Sequence, residues 1–241
     1  MGILSQALQA VQENVRALII YWAITVSAST VGLVANAFIE GAADVPAPSA
    51  PLLACRLGRD VFLVVCYAFA QSIAFARFGK DIDRPLWKIA GDKEAVKRFF
   101  KLWLVLNAMV VACYELFVSA LVLLDSERLA AVLFPLFALA GIVYVPVGAC
   151  IMFYGRFERQ GLGEGFAPLM NQWPKALVLL CANGLLFFFS LYLIAGAQDR
   201  LWLQPIVDVI FGYFDCLIFA ATWLICMADR HPPDADDVGY F

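Results

Sequence analysis

Two aspartates lie within one apolar stretch near the end of the chain. Residues 201–227 are long enough to cross a lipid bilayer, which takes about 20 apolar residues, yet they include Asp208 and Asp215. A carboxylate at membrane depth is costly, by roughly 3 kcal/mol on insertion scales, so it normally faces protein or water rather than lipid. The two aspartates are seven residues apart, which on a helix places them on nearly the same face. The spacing predicts a polar stripe against which other helices pack.

Further charged residues lie inside two other apolar stretches. Arg56, Arg59 and Asp60 open one of them, and Glu115 lies in the next. Arg56 and Asp60 are four residues apart and are expected to pair along a helix. Arg59 and Asp60 are adjacent, so we expect them to point to different sides.

Helical rise brings most of these charges to a common depth. At about 1.5 Å per residue, Arg56, Arg59, Asp60, Asp208 and Glu115 lie about 6–14 Å below one membrane surface. We therefore predict a buried ionic layer in which Arg56 or Arg59 reaches Asp208 or Glu115, because pairing offsets much of the cost of each charge. The layer either fixes the order of the helices or forms part of a transport site.

Asp215 lies nearer the midplane than this layer. Its position makes it the best candidate for a protonated or functional acid, since a buried carboxyl is disfavoured in its charged form. An aspartic catalytic dyad needs two carboxyls that share a proton. Asp208 and Asp215 are about 10 Å apart along a helix, which is too far. We predict no enzymatic activity.

Six apolar segments must position these side chains. A short link, at 125–128, forces its two flanking helices to be antiparallel. The chain is predicted to be all-α, a transmembrane bundle of six spans in three antiparallel hairpins. The predicted spans are residues 17–39, 52–78, 102–124, 129–154, 176–197 and 201–227.

The regions outside the six spans are short. Residues 1–16 carry apolar residues at helical spacing (Leu4, Leu8, Val11 and Val15), which predicts an amphipathic segment on the membrane surface. The first turn of the following span fits the pattern equally well. Residues 228–241 form an acidic tail.

The composition supports a membrane location. The sequence is 63% hydrophobic and 15% charged, with a mean hydropathy of +0.81, whereas soluble domains average about 25% charged residues. The net charge of −3 argues against nucleic acid as a partner.

Metal and cofactor chemistry has little support in this sequence. The only histidine is His231, outside the last span, so imidazole ligation within the bilayer is excluded. Seven cysteines lie in apolar stretches without a C-x-x-C pair, which is typical of small hydrophobic packing residues. We predict no cofactor, no metal and no disulfide.

Two features suggest how the spans are shaped and packed. Pro135 and Pro146 lie within one span and predict kinks that free backbone carbonyls at membrane depth. Interrupted helices mark binding sites in transporters, although proline is also ordinary in membrane helices. Ala28 and Gly32 form a small-xxx-small pair that predicts a helix-packing face.

Basic residues define the expected orientation. They are concentrated in a predicted loop at 79–101, with a smaller group at 155–175, and the positive-inside bias places both loops and both termini in the cytoplasm. Such a basic loop either binds anionic lipid or an acidic partner, or simply retains the cytoplasmic face. The basic residues of interest are Lys88, Lys93, Lys97, Arg98 and Lys101.

Three functional interpretations follow. The first is a multi-pass integral membrane protein that serves as a non-catalytic accessory or scaffolding subunit, with lipids and other membrane subunits as partners. The second is a small ion- or proton-coupled transporter or channel-like protein that uses the buried carboxylates. The third is a lipid-binding membrane protein. Transport predicts acids that line a water-accessible cavity, whereas a scaffold predicts fully paired acids.

Overall fold

The computed structural model describes residues 3–41, 50–82, 91–122, 126–154, 167–197 and 203–229, and these residues are almost entirely helical. The predicted all-α fold is confirmed over these ranges. The helices are α1 (Ile3–Glu13), α2 (Val15–Gly41), α3 (Ala50–Asp81), α4 (Asp92–Val122), α5 (Glu127–Tyr154), α6 (Ala167–Asn171), α7 (Trp173–Ala197) and α8 (Gln204–Asp229).

Six of these helices, α2, α3, α4, α5, α7 and α8, are long and apolar enough to cross a membrane. They correspond to the six predicted spans. Several run further than the apolar stretches do, since polar residues at a membrane surface continue a helix without cost to its backbone hydrogen bonds. The predicted acidic tail lies almost wholly outside the described residues, as α8 ends at Asp229.

The predicted basic loop needs a correction. α4 begins at Asp92, so Lys93, Lys97, Arg98 and Lys101 lie on its first three turns rather than in a loop. Acidic residues in the first turn favour a helix start, and Asp92 and Glu94 occupy that turn. Lys88 lies outside the described residues.

An ion pair joins the end of α3 to the start of α4. The backbone nitrogen of Ala95 donates to the carbonyl of Gly91 at 3.1 Å, so Gly91 caps the helix. Arg77 donates from Nη2 to Asp92 Oδ2 at 2.6 Å and from Nε to Oδ1 at 3.0 Å. We call this side of the bundle, where the α4 lysines lie, the basic end, and the other side the opposite end.

α8 is the helix around which the bundle is assembled. It packs against α1, α2, α5 and α7, while α2, α3, α4 and α5 pack in sequence order. α1 is a separate helix that buries Ala7 and Val11 completely and leaves Leu4 and Leu8 exposed. The predicted apolar stripe of α1 is therefore divided between a face packed in the bundle and a face open to the surroundings.

The basic end contains an aromatic core. Phe75 stacks on Phe219 at 4.3 Å between ring centroids and meets the edge of Trp103 at 5.0 Å. Trp223 packs against Phe153 at 5.1 Å and Phe219 at 5.4 Å. We call these five residues, all nearly inaccessible to solvent, the aromatic core. It joins α3, α4, α5 and α8.

The small residues of α2 pack within the chain. Ala28 is 3% exposed. A Cβ atom on Gly32 would lie 3.3 Å from Cδ2 of Leu63 on α3. Close packing of small residues lets two membrane helices approach, and here the helix that approaches is α3.

Candidate intramembrane cation site

A cavity of about 400 Å³ lies among α3, α4, α5, α7 and α8. Most of its lining is apolar, as in a typical small-molecule site with a few polar groups. The polar lining residues come from all five helices. They are Tyr67, Asn107, Tyr144, Asn183, Ser190, Asp208 and Asp215.

Asp215 is held by two tyrosines from different helices. Tyr21 on α2 donates its hydroxyl hydrogen to Asp215 Oδ2 at 2.9 Å, and Tyr144 on α5 donates to the same oxygen at 3.1 Å. Tyr21 is completely buried, whereas Asp215 is half-buried and lines the cavity. The two hydroxyls fix the orientation of the carboxyl group of a residue that lines the cavity.

Asp208 lines the same cavity as Asp215. The seven-residue spacing therefore does place the two aspartates along one space, about 10 Å apart by helical rise. Equal depth had grouped Asp208 with the arginines of α3, but depth fixes only the height of a residue and not the side of the helix on which it lies. Tyr21, Tyr67 and Tyr144 were missed, since a tyrosine in an apolar span has the same pattern as a packing residue.

A separate group of charges, the arginine cluster, lies toward the opposite end. We define it as Asn36, Arg56, Arg59, Asp60 and Glu115. Arg56 Nη2 lies 2.6 Å from Glu115 Oε2, which is one of the contacts predicted from depth. Arg59 Nη2 lies 3.7 Å from Glu115 Oε1. The cluster thus ties α3 to α4 and, through a hydrogen bond from Arg59 to Asn36, to α2.

The pairing within α3 was predicted wrongly. Arg59 and its neighbour Asp60 form an ion pair, with Nε of Arg59 2.8 Å from Asp60 Oδ1. The long arginine side chain folds back along the helix, so adjacent positions do not keep the two groups apart. Arg56 is then used across helices, on Glu115, rather than along α3.

The backbone carbonyl that Pro146 was predicted to free has a side-chain partner on another helix. Proline has no backbone N–H, so the carbonyl four residues earlier loses its helical partner. That carbonyl belongs to Ile142, and Asn183 on α7 donates Nδ2 to it at 2.6 Å. Pro135 lies in the same continuous helix and is exposed. Asn183 thus replaces a missing backbone hydrogen bond at the wall of the cavity.

Asn107 connects the cavity to the aromatic core. Its Nδ2 donates to the backbone carbonyl of Trp103 at 2.7 Å and to Gln71 Oε1 at 2.6 Å. Gln71 is completely buried. Polar groups of α3 and α4 therefore meet where the cavity ends and the aromatic packing begins.

The cysteines differ in how far they are buried within the protein. Cys150, Cys216 and Cys226 are buried, and the Sγ atoms of Cys150 and Cys226 are 3.2 Å apart as thiols. In the described part of the chain there is no group of three or more His, Cys, Asp or Glu placed to hold a metal ion.

The six helices that are long and apolar enough to cross a membrane are compatible with one class of molecule, a helical multi-pass membrane protein. The sequence matches no protein-family model, no curated protein and no solved structure. The function must therefore be inferred from the site.

Proposed function

We propose that this chain is a small ion- or proton-coupled transporter or channel-like protein whose cation site is formed by Asp215 and Asp208. The observation that carries the proposal is the cavity of about 400 Å³, because both aspartates are among the residues that line it. Cavities of this size, roughly 300–1,000 Å³, suit small ligands. Ionisable residues inside a membrane-spanning bundle commonly mark ion or substrate pathways.

Charge balance supports a cationic ligand. Among the described residues that line the cavity there is no Lys, Arg or His. The partners of Asp215 are the neutral hydroxyls of Tyr21 and Tyr144. A bound proton, metal cation or protonated amine would supply the positive charge that a carboxylate at this depth requires.

The arginine cluster provides a contrast within the same protein. There, Glu115 and Asp60 are neutralised by Arg56 and Arg59. Removing one partner of an ion pair buried in this way is costly, which fits a structural role for these acids. Asp215, in contrast, has hydroxyl partners that orient it without neutralising it, which is the arrangement expected of a binding group.

The test is flux through the purified protein in lipid vesicles. Uptake of Na⁺, K⁺ and protons is measured separately under an imposed gradient. For at least one of these cations we expect flux that Asp215→Asn abolishes and that depends on external pH. Glu115→Gln is the matched control, because it also removes one carboxylate charge but lies in the arginine cluster. Equal flux in Asp215→Asn and the unmodified protein would refute the proposal.

A second candidate is the accessory or scaffolding subunit. One observation favours it: only 17% of the apolar window of α4, and the same share of α7, is buried, against 72% for α5. Two helices thus leave long apolar faces for lipid or for other membrane subunits. This candidate predicts purification in mild detergent with stoichiometric membrane partners, and no cation flux by the isolated chain.

We also propose that the basic end faces the cytoplasm. The support is the set of basic residues on the first turns of α4, together with the positive-inside bias. Both termini then lie in the cytoplasm. A reporter that is active only outside the cytoplasm, fused after Phe241, should be silent. Activity of this fusion would show that the orientation is the opposite of the one proposed.

A further inference from the structure

A second space, distinct from the acid-lined cavity, opens on the surface of the bundle. It is an apolar groove of about 810 Å³ between α1, α7 and α8. Leu186 and Phe214 line both spaces and form the wall between them. Lys175 is the only charged residue among the described residues that line the groove.

The length of the groove distinguishes between possible occupants. On α7 its lining runs from Pro174 to Phe189, about 22 Å by helical rise, and on α8 from Ile225 to Phe214, about 16 Å. Half of a hydrocarbon core of about 30 Å is about 15 Å. From the basic end, the groove therefore covers about half of a hydrocarbon core on α8 and somewhat more than half on α7. A transmembrane helix of a partner would require a complementary face across the whole core.

The charge at the mouth indicates the headgroup. Lys175 is exposed and lies in the first turn of α7, where a lipid phosphate would be located. Trp173 beside it is 63% exposed, as expected of an aromatic residue at the headgroup level. Ile3 and Leu4 of α1 also line the groove. A negatively charged headgroup therefore matches this end of the groove.

We propose that this groove binds one acyl chain of a membrane phospholipid with an anionic headgroup, whose phosphate contacts Lys175. The apolar walls of α7 and α8 hold the chain, and the lysine selects the headgroup. The site is independent of cation binding at Asp215, so either proposal can fail without the other.

The experiment uses the full chain in nanodiscs that contain equal amounts of phosphatidylglycerol and phosphatidylcholine with identical acyl chains. After release into detergent, native mass spectrometry counts the retained lipids. The unmodified protein should retain one phosphatidylglycerol. Ala182→Trp, which fills the groove, should lose it, and Lys175→Gln should retain a lipid without preference for either headgroup.

Two control variants carry the same substitutions away from the groove. Ala112→Trp alters an exposed position in the middle of α4, and Lys101→Gln removes an exposed lysine at the basic end; both should retain one phosphatidylglycerol. If Ala182→Trp does not yield folded protein, Ala182→Leu replaces it. Retention of the lipid by the folded groove variant, or an unchanged headgroup preference in Lys175→Gln, would overturn the proposal. So would a dimer in the unmodified protein that Ala182→Trp dissociates, because a second copy would then occupy the groove.

Discussion

At the basic end the helices pack through aromatic side chains, whereas toward the opposite end they are joined by ion pairs. In the aromatic core, the ring centroid of Phe75 lies 5.0 Å from that of Trp103 and 4.3 Å from that of Phe219. The arginine cluster joins its helices through ion pairs of 2.6 and 3.7 Å. The acid-lined cavity lies in the same bundle, and its lining combines Asp208 and Asp215 with polar and apolar side chains.

The aromatic core and the arginine cluster should differ in the kind of substitution that destabilises them. Packed rings fill space, so they tolerate no added volume. In a buried charge cluster each charge is compensated by an opposite one, so the loss of one partner is strongly destabilising. Neither property is needed at the cavity, where empty volume and a carboxyl group oriented by two tyrosines leave room for a ligand. The four variants below test this comparison in order of expected effect.

The largest loss is expected in the arginine cluster. Arg59→Leu removes the partner of Asp60 and one partner of Glu115, leaving buried negative charge at a cost of about 3–5 kcal/mol. Denaturant titration in detergent measures the loss. Arg59→Leu combined with Asp60→Leu should recover much of the stability, since removing both charges leaves neither unpaired.

The control for that variant is Arg77→Leu. The Arg77–Asp92 pair at the basic end has side chains 36% and 46% exposed, so its loss should cost less than about 1 kcal/mol. Similar losses for Arg59→Leu and Arg77→Leu would show that the arginine cluster contributes no more than a surface pair.

The next effect tests the aromatic core. A Cβ on Gly148 would lie 2.6 Å from Cζ3 of Trp103, and that ring is fully buried, with Nε1 donating to Met152 Sδ at 3.1 Å. Gly148→Ala should therefore destabilise the protein by up to about 3 kcal/mol through overpacking. Gly58→Ala in α3 is the control, because an added Cβ there meets no atom within 4 Å beyond its chain neighbours and the backbone of its own helix. If both alanines are tolerated equally, the core is not closely packed at α5.

The wall of the cavity should respond to a smaller degree. Asn183→Leu leaves the carbonyl of Ile142 without its donor, at a cost of about 1–2 kcal/mol. In a Pro146→Ala background the same substitution should cost less, because residue 146 then has an N–H for that carbonyl. A double-mutant cycle on thermal stability gives the coupling, and a coupling of zero would contradict the assigned role of Asn183.

The smallest effect on stability is expected beside Asp215. Tyr144→Phe removes one of two hydroxyl donors and should cost about 1 kcal/mol, because Tyr21 still donates to the same oxygen. Cation flux, in contrast, should change in this variant. A large loss of stability with unchanged flux would make Asp215 a structural residue like Glu115.

Particular residues show how far sequence reasoning reached. The six long apolar helices and the contact of Arg56 with Glu115 were predicted, because hydrophobicity and helical rise together fix the length of a helix and the height of a residue along it. The Arg59–Asp60 pair was predicted wrongly, since residue spacing does not describe the reach of a long side chain. The lysines of α4 were placed in a loop, because an apolar stretch ends where the membrane ends and not where the helix ends.

The sequence by itself determined that the chain is apolar and helical, with six segments long enough to cross a membrane and with acids inside them. These features depend on local periodicity and on the cost of charge in lipid. Only the tertiary structure decided which helix faces which. It put Asp208 and Asp215 on a shared cavity, brought Tyr21 and Tyr144 to one carboxylate oxygen, and set Asn183 against the carbonyl that Pro146 leaves free. The rotation of each helix about its own axis is fixed by packing against distant segments, and no local pattern in the sequence encodes it.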